Sequence, residues 1–147
     1  MTRTELTDQI IEAKLKKHLT WETLAKAVGR SEIWTTAALL GQMSMDKKEA
    51  EAAVKKLGLD KEAALLLQQC PSKGSLGVAV PTDPLLYRFY EIIQVYGTTL
   101  KEVIHEKFGD GIMSAIDFEM HLDKIQDPKG DRVKITLNGK FLPYKKW

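Results

Sequence analysis

Hydrophobic positions recur with helical spacing through the first half of the chain and with a period of two near its end. Between Leu6 and Pro71, apolar residues return every three or four positions, and breakers interrupt them at short intervals. Four of these segments follow residues whose side chains can cap a helix: Thr20, Ser31 or Glu32, Asp46 and Asp60. Three of them end at glycines: Gly29, Gly41 and Gly58. The pattern predicts a bundle of five short helices.

The segment from Thr20 to Gly41 has the layout of a helix-turn-helix. A recognition helix needs Arg, Lys, Asn or Gln near its N-terminus to reach base edges, and only Arg30 qualifies here. Glu32 would face phosphates, and 22 Lys and Arg against 20 Asp and Glu leave a net charge of only +2. We therefore expect a packing scaffold and no nucleic-acid partner. A DNA-binding regulator is the alternative, and sequence-dependent binding in a gel-shift experiment would support it.

A stretch without periodicity separates the two halves of the chain. Pro71 to Pro81 includes two Pro and two Gly, which is typical of a linker or an ordered loop. We place the domain boundary there. The sequence then predicts a helical bundle domain over residues 1–75 and a second domain over residues 76–147.

The second domain begins with a helical pattern. Asp83 can cap a helix with proline at its first position, where the missing N–H is harmless, and Gly97 closes it. Thr99 and Glu102 have capping-box spacing and predict a further helix that ends at Gly109.

Beyond these helices, apolar and polar residues alternate. The first alternating set predicts a half-buried strand: Phe118, Met120 and Leu122. A turn over Asp127–Asp131 precedes the second set: Val133, Ile135 and Leu137. Asn138-Gly139 is a strong hairpin signal, after which Lys140–Tyr144 predicts a third short strand. So small a sheet must pack on its helices or on another chain, and we favour another chain. The fold class is α+β.

The sequence also indicates a location. Cys70 has no partner for an intramolecular disulfide, which fits a reducing compartment. The first eight residues lack an apolar segment, and their acidic residues argue against a transit peptide. The longest apolar stretches, such as Ala63–Leu67, are too short to cross a bilayer. We expect a cytoplasmic protein without a membrane partner.

Arg88 and Glu91 are three residues apart and therefore share one face of a helix. Spacing alone favours a surface ion pair, worth about 0–1 kcal/mol. Aromatic and aliphatic neighbours surround the pair, however, so we expect other elements or chains to bury it. Since a buried arginine needs a carboxylate or an anion, Arg88 is a candidate anion-binding residue.

The glycine-punctuated turn from Lys107 to Ser114 is a second candidate. Successive amides over Gly109–Ile112 can form a small anion-binding concavity, and Ser114 adds a donor. By motif alone, an ordinary helix stop followed by a loop is the favoured interpretation.

Metal and nucleotide sites are not expected. His105-Glu106 lacks the second His that a zinc-protease helix needs, and the three His and one Cys are scattered. Phosphate-binding and dinucleotide glycine motifs are absent from the sequence. We expect no metal and no cofactor.

The run from Pro81 to Phe118, which includes Tyr-Arg-Phe-Tyr-Glu and Phe-Gly-Asp-Gly-Ile-Met-Ser, closely resembles the signature of cyanases, also called cyanate hydratases or cyanate lyases. Shorter stretches are similar elsewhere: Ile33–Gly41, Leu65–Gln68 and Ile135–Pro143. The resemblance implies an enzyme that converts cyanate and bicarbonate to carbon dioxide and carbamate, with bicarbonate as co-substrate. It also implies that Arg88, Glu91 and Ser114 are catalytic.

The resemblance further implies the architecture. The N-terminal domain would be a lambda-repressor-like bundle that does not act on DNA, and the C-terminal domain would serve dimerisation and catalysis. Strands would interlock between two chains, and five dimers would form a ring with active sites at subunit interfaces. A catalytically inactive family member kept as a structural oligomer is the alternative, and intact Arg88, Glu91 and Ser114 argue against it.

Overall fold

The computed structural model of the chain describes residues 1–74 and 77–146 and has six helices and one two-stranded antiparallel sheet in those ranges. The helices are α1 (Arg3–Lys16), α2 (Trp21–Val28), α3 (Glu32–Leu39), α4 (Lys47–Leu57), α5 (Lys61–Gln68) and α6 (Pro84–Phe108), and the strands are β1 (Gly111–Ile125) and β2 (Arg132–Pro143). The predicted α+β class with five N-terminal helices is confirmed. No helix of the described ranges is long and apolar enough to span a bilayer.

The described residues form two units. The first comprises α1 to α5 together with Met120–Ile135, and the second comprises α6 together with the rest of both strands. The predicted domain boundary, between residues 75 and 76, lies outside the described residues.

The N-terminal helices begin where their capping side chains place them. Each predicted cap accepts a hydrogen bond from the amide three residues later: Thr20, Ser31, Asp46 and Asp60. Gly29 and Gly58 end α2 and α4 with φ of 83° and 72°, which is the left-handed conformation that glycine adopts without steric cost. Local chemistry therefore sets these boundaries.

A capping box that the sequence analysis missed begins α1. The Thr2 hydroxyl accepts from the Glu5 amide at 3.2 Å, and the Glu5 carboxylate accepts from the Thr2 amide at 2.6 Å. The bond from the Thr2 amide stabilises the ionised carboxylate, so it holds the pKa of Glu5 below its ordinary value.

The core of the bundle consists of aliphatic side chains from all five helices. α4 packs on α2 and α5, α2 packs on α3, and α1 packs on α4 and α5. The largest fully buried side chains are Leu6, Ile10, Leu24, Leu39, Leu57, Leu67 and Thr35.

Arg30, the only residue predicted to be able to reach a base edge, is engaged by other residues of the bundle. Its Nε lies 2.5 Å from Oε1 of Glu49, whose side chain is only 9% exposed, and its guanidinium stacks over the Trp34 ring at 4.9 Å. Glu49 also accepts the Asp46 amide at 2.8 Å. These contacts support the interpretation of α2 and α3 as a scaffold.

The prediction of two helices separated at Gly97 is wrong, because α6 is continuous for 25 residues. Gly97 has no positive φ, and a Cβ there would only contact Ile93 at 3.5 Å. A mid-helix glycine costs about 1 kcal/mol, which is less than restarting a helix costs in nucleation. The helical hydrogen bonds of α6 therefore continue through Gly97 and through Thr99, which was predicted to cap a new helix.

The prediction of a third strand is also wrong. The chain reverses near Asp127–Asp131, as expected, but β2 then runs without interruption through Asn138-Gly139 to Pro143. Residues 140–143 are its end rather than a separate strand. Gly139 lies where the β1 backbone comes very close to β2, and this close approach, rather than a turn, requires the glycine.

The surfaces of α6 and the sheet are open in the described chain. α6 has no buried residue, and the strands expose large side chains such as Ile116 at 87% and Val133 at 73%. The predicted half-buried strand face is only partly covered in the single chain: Phe118 and Ile135 are half-buried, whereas Met120 and Leu122 are exposed. Coverage of this face by another chain stays a prediction.

We expect His18→Gly to stabilise the bundle. His18 is exposed and has φ of 52°, a left-handed conformation that costs a non-glycine residue about 1–2 kcal/mol. After the entropic cost of glycine, the free energy of unfolding should rise by about 0.5–1 kcal/mol, measured by urea denaturation. Lys17→Gly is the matched control and should lower it, because φ at Lys17 is −95°. Shifts of the same sign in both variants would contradict the prediction.

Candidate active site

Arg88 and Glu91 lie near the beginning of α6, where a cap fixes the first turn. Asp83 accepts hydrogen bonds from the amides of Leu85 and Leu86 at 2.9 and 3.0 Å. From there, helical geometry places positions 88 and 91 about one turn apart on the same face. Nε of Arg88 lies 3.4 Å from Oε2 of Glu91, so the structure brings this predicted pair together.

The Arg88 guanidinium keeps hydrogen-bonding capacity beyond this ion pair. It lies 5.2 Å from the centre of the Tyr87 ring, and its described carboxylate contact uses Nε. The two terminal nitrogens carry four further N–H donors in one plane, which suits the oxygens of a small anion. The pair can therefore present a fixed, oriented cation.

Other elements of the described chain do not bury the pair, and its burial by another chain stays a prediction. The Arg88 and Glu91 side chains are 61% and 49% exposed, because α6 runs along the open surface of its unit. In water an ion pair of this kind contributes about 0–1 kcal/mol, and salt screens it. In the described chain, Arg88 is thus a solvated cation surrounded by exposed apolar side chains.

Ser114 is the one buried hydroxyl of the second unit's described residues and lies near the beginning of β1. It is 6% exposed, and its Oγ accepts hydrogen bonds from the amides of Ile116 and Asp117 at 3.0 and 2.9 Å. Two acceptor bonds occupy both lone pairs of the oxygen, so the hydroxyl proton remains to be donated. Ser114 is therefore held as a donor.

The candidate concavity of amides over Gly109–Ile112 lacks its first member, and the helix stop that the motif favours is present there. The Gly109 amide donates to the His105 carbonyl at 2.9 Å as the C-cap of α6. The His105 ring nitrogen Nε2 lies 3.1 Å from the Gly111 carbonyl oxygen and ties the helix end to the start of β1. This turn serves structure, and it leaves the hydroxyl of Ser114 as the donor that the geometry prepares.

The described contacts join Arg88 to Glu91 but do not join Ser114 to either. The hydrogen bonds described for Ser114 are with residues two and three positions further along β1. The structure therefore pairs Arg88 with Glu91 and buries Ser114, while their roles and their juxtaposition stay predictions.

The described residues show no group of three or more His, Cys, Asp or Glu side chains arranged to hold a metal ion.

The sequence analysis did not recognise the role of a residue beside Ser114. Gly139 was interpreted as a turn residue, and the signal that could have identified it is a glycine within an alternating strand pattern.

Comparisons with known proteins cover nearly the whole chain. Residues 3–71 match a family model described as cyanate hydratase, N-terminal, and residues 78–146 match the cyanate lyase C-terminal domain. The chain is 62% identical over 145 residues to the cyanate hydratase of Dechloromonas aromatica and 59% identical over 145 residues to that of Ralstonia pickettii, with 99% of each chain covered. A crystal structure of cyanase from T. urticae is 40% identical with a TM-score of 0.82, and the match covers 95% of this chain and 97% of that one.

Proposed function

This chain belongs to the cyanate lyase family, and on that premise we propose that it decomposes cyanate with bicarbonate as the second substrate. The products would be carbon dioxide and carbamate, and carbamate would release ammonia and a second carbon dioxide. The observation that carries the proposal is the match over both halves of the chain, with Arg88, Glu91 and Ser114 inside the C-terminal match.

The proposed roles follow from the charge of the substrates. Cyanate and bicarbonate are both anions, and two unit charges 4 Å apart repel by about 4 kcal/mol at the effective dielectric constant near a protein surface. Arg88 would supply the positive potential that holds them together, through the terminal nitrogens that Glu91 leaves open. Ser114 would donate a hydrogen bond to an oxygen of one anion, since its lone pairs are already occupied.

The proposed reaction needs positioning more than activation. A bicarbonate oxygen attacks the cyanate carbon, forming a C–O bond, and the bicarbonate proton moves to nitrogen in the resulting dianion. Cleavage of the C–O bond on the bicarbonate side releases carbon dioxide, and one proton from solvent completes carbamate. Because the cyanate carbon is already electrophilic, we propose that no metal or cofactor takes part. The barrier lies mainly in orienting two like charges.

Glu91 has two proposed roles that the geometry leaves open. Its carboxylate lies 3.4 Å from Nε of Arg88, so it can orient the guanidinium through a charge-assisted interaction. It can also relay the proton that the adduct needs.

We also propose a homo-oligomer, as a decamer of five dimers, with the sites at subunit interfaces. The support is the second unit's exposed apolar surface, including Leu85, Ile92, Val95, Tyr96 and Ile116. Coverage by another copy would remove water from around Arg88 and strengthen its attraction for anions.

We further propose roles for the two domains and a location. Residues 1–75 would be the scaffold, and residues 76–147 would be the catalytic and dimerisation domain. The free thiol of Cys70 suits the cytoplasm, which we propose as the location.

Ammonia release in metal-free buffer is the direct test. With cyanate and bicarbonate together, the purified protein should release ammonia, and removal of bicarbonate should reduce the rate to background. Preincubation with a chelator should leave the rate unchanged. Equal rates with and without bicarbonate would contradict the two-substrate reaction.

Arg88→Leu should reduce kcat/KM to background while the secondary structure and the oligomeric state persist. The change removes the positive charge that we assign to anion binding and replaces it with a shorter apolar side chain. Lys101→Leu removes a cation from an exposed position of the same helix and serves as the matched control. Near-normal ammonia release by Arg88→Leu would show that another cation holds the substrates.

Ser114→Ala should lower kcat by about 10²–10³, since one donor to a developing charge is worth about 2.7–4 kcal/mol in oxyanion-hole variants. The assays should be run at a temperature well below the unfolding transition of the variant, because the amides of Ile116 and Asp117 also lose their hydrogen-bond acceptor. Thr136→Ala removes an exposed hydroxyl from β2 and is the control. Unchanged kcat in Ser114→Ala would remove Ser114 from the site.

A further inference from the structure

Gly139 lies inside β2, between Arg132 and Pro143, where a glycine weakens a strand. Its φ is not positive, so the conformational freedom of glycine does not explain its presence. It is also not part of a turn, because β2 continues for four residues beyond it. Some other constraint places a residue without a side chain at this position.

That constraint is a close approach between the two strands. A Cβ at position 139 would lie 2.5 Å from the carbonyl oxygen of Ser114, 2.5 Å from Cγ of Met113 and 3.1 Å from its Sδ. The methionine side chain can rotate away, whereas the carbonyl oxygen is backbone. Since carbon and carbonyl oxygen settle at about 3.3–3.6 Å, any side chain at position 139 must move the two strand backbones apart by nearly 1 Å at Ser114.

The hydroxyl of Ser114 follows its own backbone. Oγ is bonded to the amides of Ile116 and Asp117, which belong to the same strand. Both amides are thereby directed to a side chain, as occurs where a strand contains a bulge. A shift of the backbone at position 114 therefore moves the hydroxyl and its two partners together.

We propose that Gly139 is a positioning residue for Ser114: the absence of its side chain allows β2 to hold the Ser114 backbone, and hence the donor hydroxyl, in place. The inference rests on the proposed function, in which Ser114 donates to a substrate anion. Gly139 itself touches no substrate and acts only through Ser114.

A double-mutant cycle tests this coupling. Ammonia release at saturating cyanate and bicarbonate is measured for the wild type, Gly139→Ala, Ser114→Ala and the double variant. Misplacement of a reacting group by about 1 Å can cost about 10²-fold, so Gly139→Ala should lower kcat by about 10–100-fold. In the Ser114→Ala background the same change should lower kcat less than about twofold, because the donor is already gone. A merely structural glycine would reduce kcat by the same factor in both backgrounds.

Two controls locate the effect. Asn138→Ala changes the exposed neighbour in β2 and should retain wild-type kcat. Met113→Ala combined with Gly139→Ala relieves the clash with the side chain but leaves the clash with the carbonyl, so kcat should stay low. Recovery to the Met113→Ala rate would place the effect in Met113 and overturn the proposal. If Gly139→Ala alone does not assemble, the cycle is run in the Met113→Ala background.

The outcomes separate this inference from the proposed function. If Ser114→Ala has lost activity and Gly139→Ala is equally damaging with and without Ser114, only the positioning role fails. If Ser114→Ala is fully active, the assignment of Ser114 fails and the role of Gly139 falls with it. Both assignments are supported if Gly139→Ala lowers kcat in the wild-type background and has little further effect in the Ser114→Ala background.

Discussion

A guanidinium on an apolar helix is the constraint around which the second half of this chain is organised. Arg88 lies on α6, whose described residues are all at least partly exposed, and Glu91 occupies only one of its nitrogens. In the single chain, water screens this charge and the apolar side chains beside it remain hydrated. Coverage by another copy, which we propose, would solve both problems, because it would remove water from the cation and from its neighbours at once.

The hairpin adds a second kind of constraint. Ser114 accepts two amide hydrogen bonds from its own strand, and the neighbouring strand passes so closely that a glycine stands beside it. A hydroxyl held in this way has few positions available to it, so it needs little reorganisation when a charge develops nearby. The charge on the helix and the fixed donor on the strand would be complementary contributions to anion binding.

The sequence could predict what local chemistry decides. Thr20, Asp46 and Gly58 mark helix ends through bonds and dihedral angles that involve only neighbouring residues, and the structure has them there. Gly97 and Gly139 were misinterpreted because the same residue can end a helix, form a turn or allow a close approach. Which of these applies depends on the continuing hydrogen-bond ladder or on a distant strand, and neither is visible in a short window.

The candidate site was predictable to the same extent. Helical spacing alone was enough to pair Arg88 with Glu91, whereas their exposure depends on what surrounds α6 and could not be read from spacing. The occupation of both lone pairs of Ser114 depends on the local path of β1. The resemblance to a family named all three residues, but it carried no information about these bonds.

Arg30 shows that a basic residue in a helix-turn-helix layout can have a structural role. It stands at the start of what would be a recognition helix, yet it neutralises a nearly buried carboxylate of Glu49. Loss of this arginine would leave that carboxylate without its cation, so stability alone is a sufficient reason to retain it. A genome search that scores basic residues at this position would count it as a contact to DNA, although its described partners are a carboxylate and an aromatic ring of the bundle.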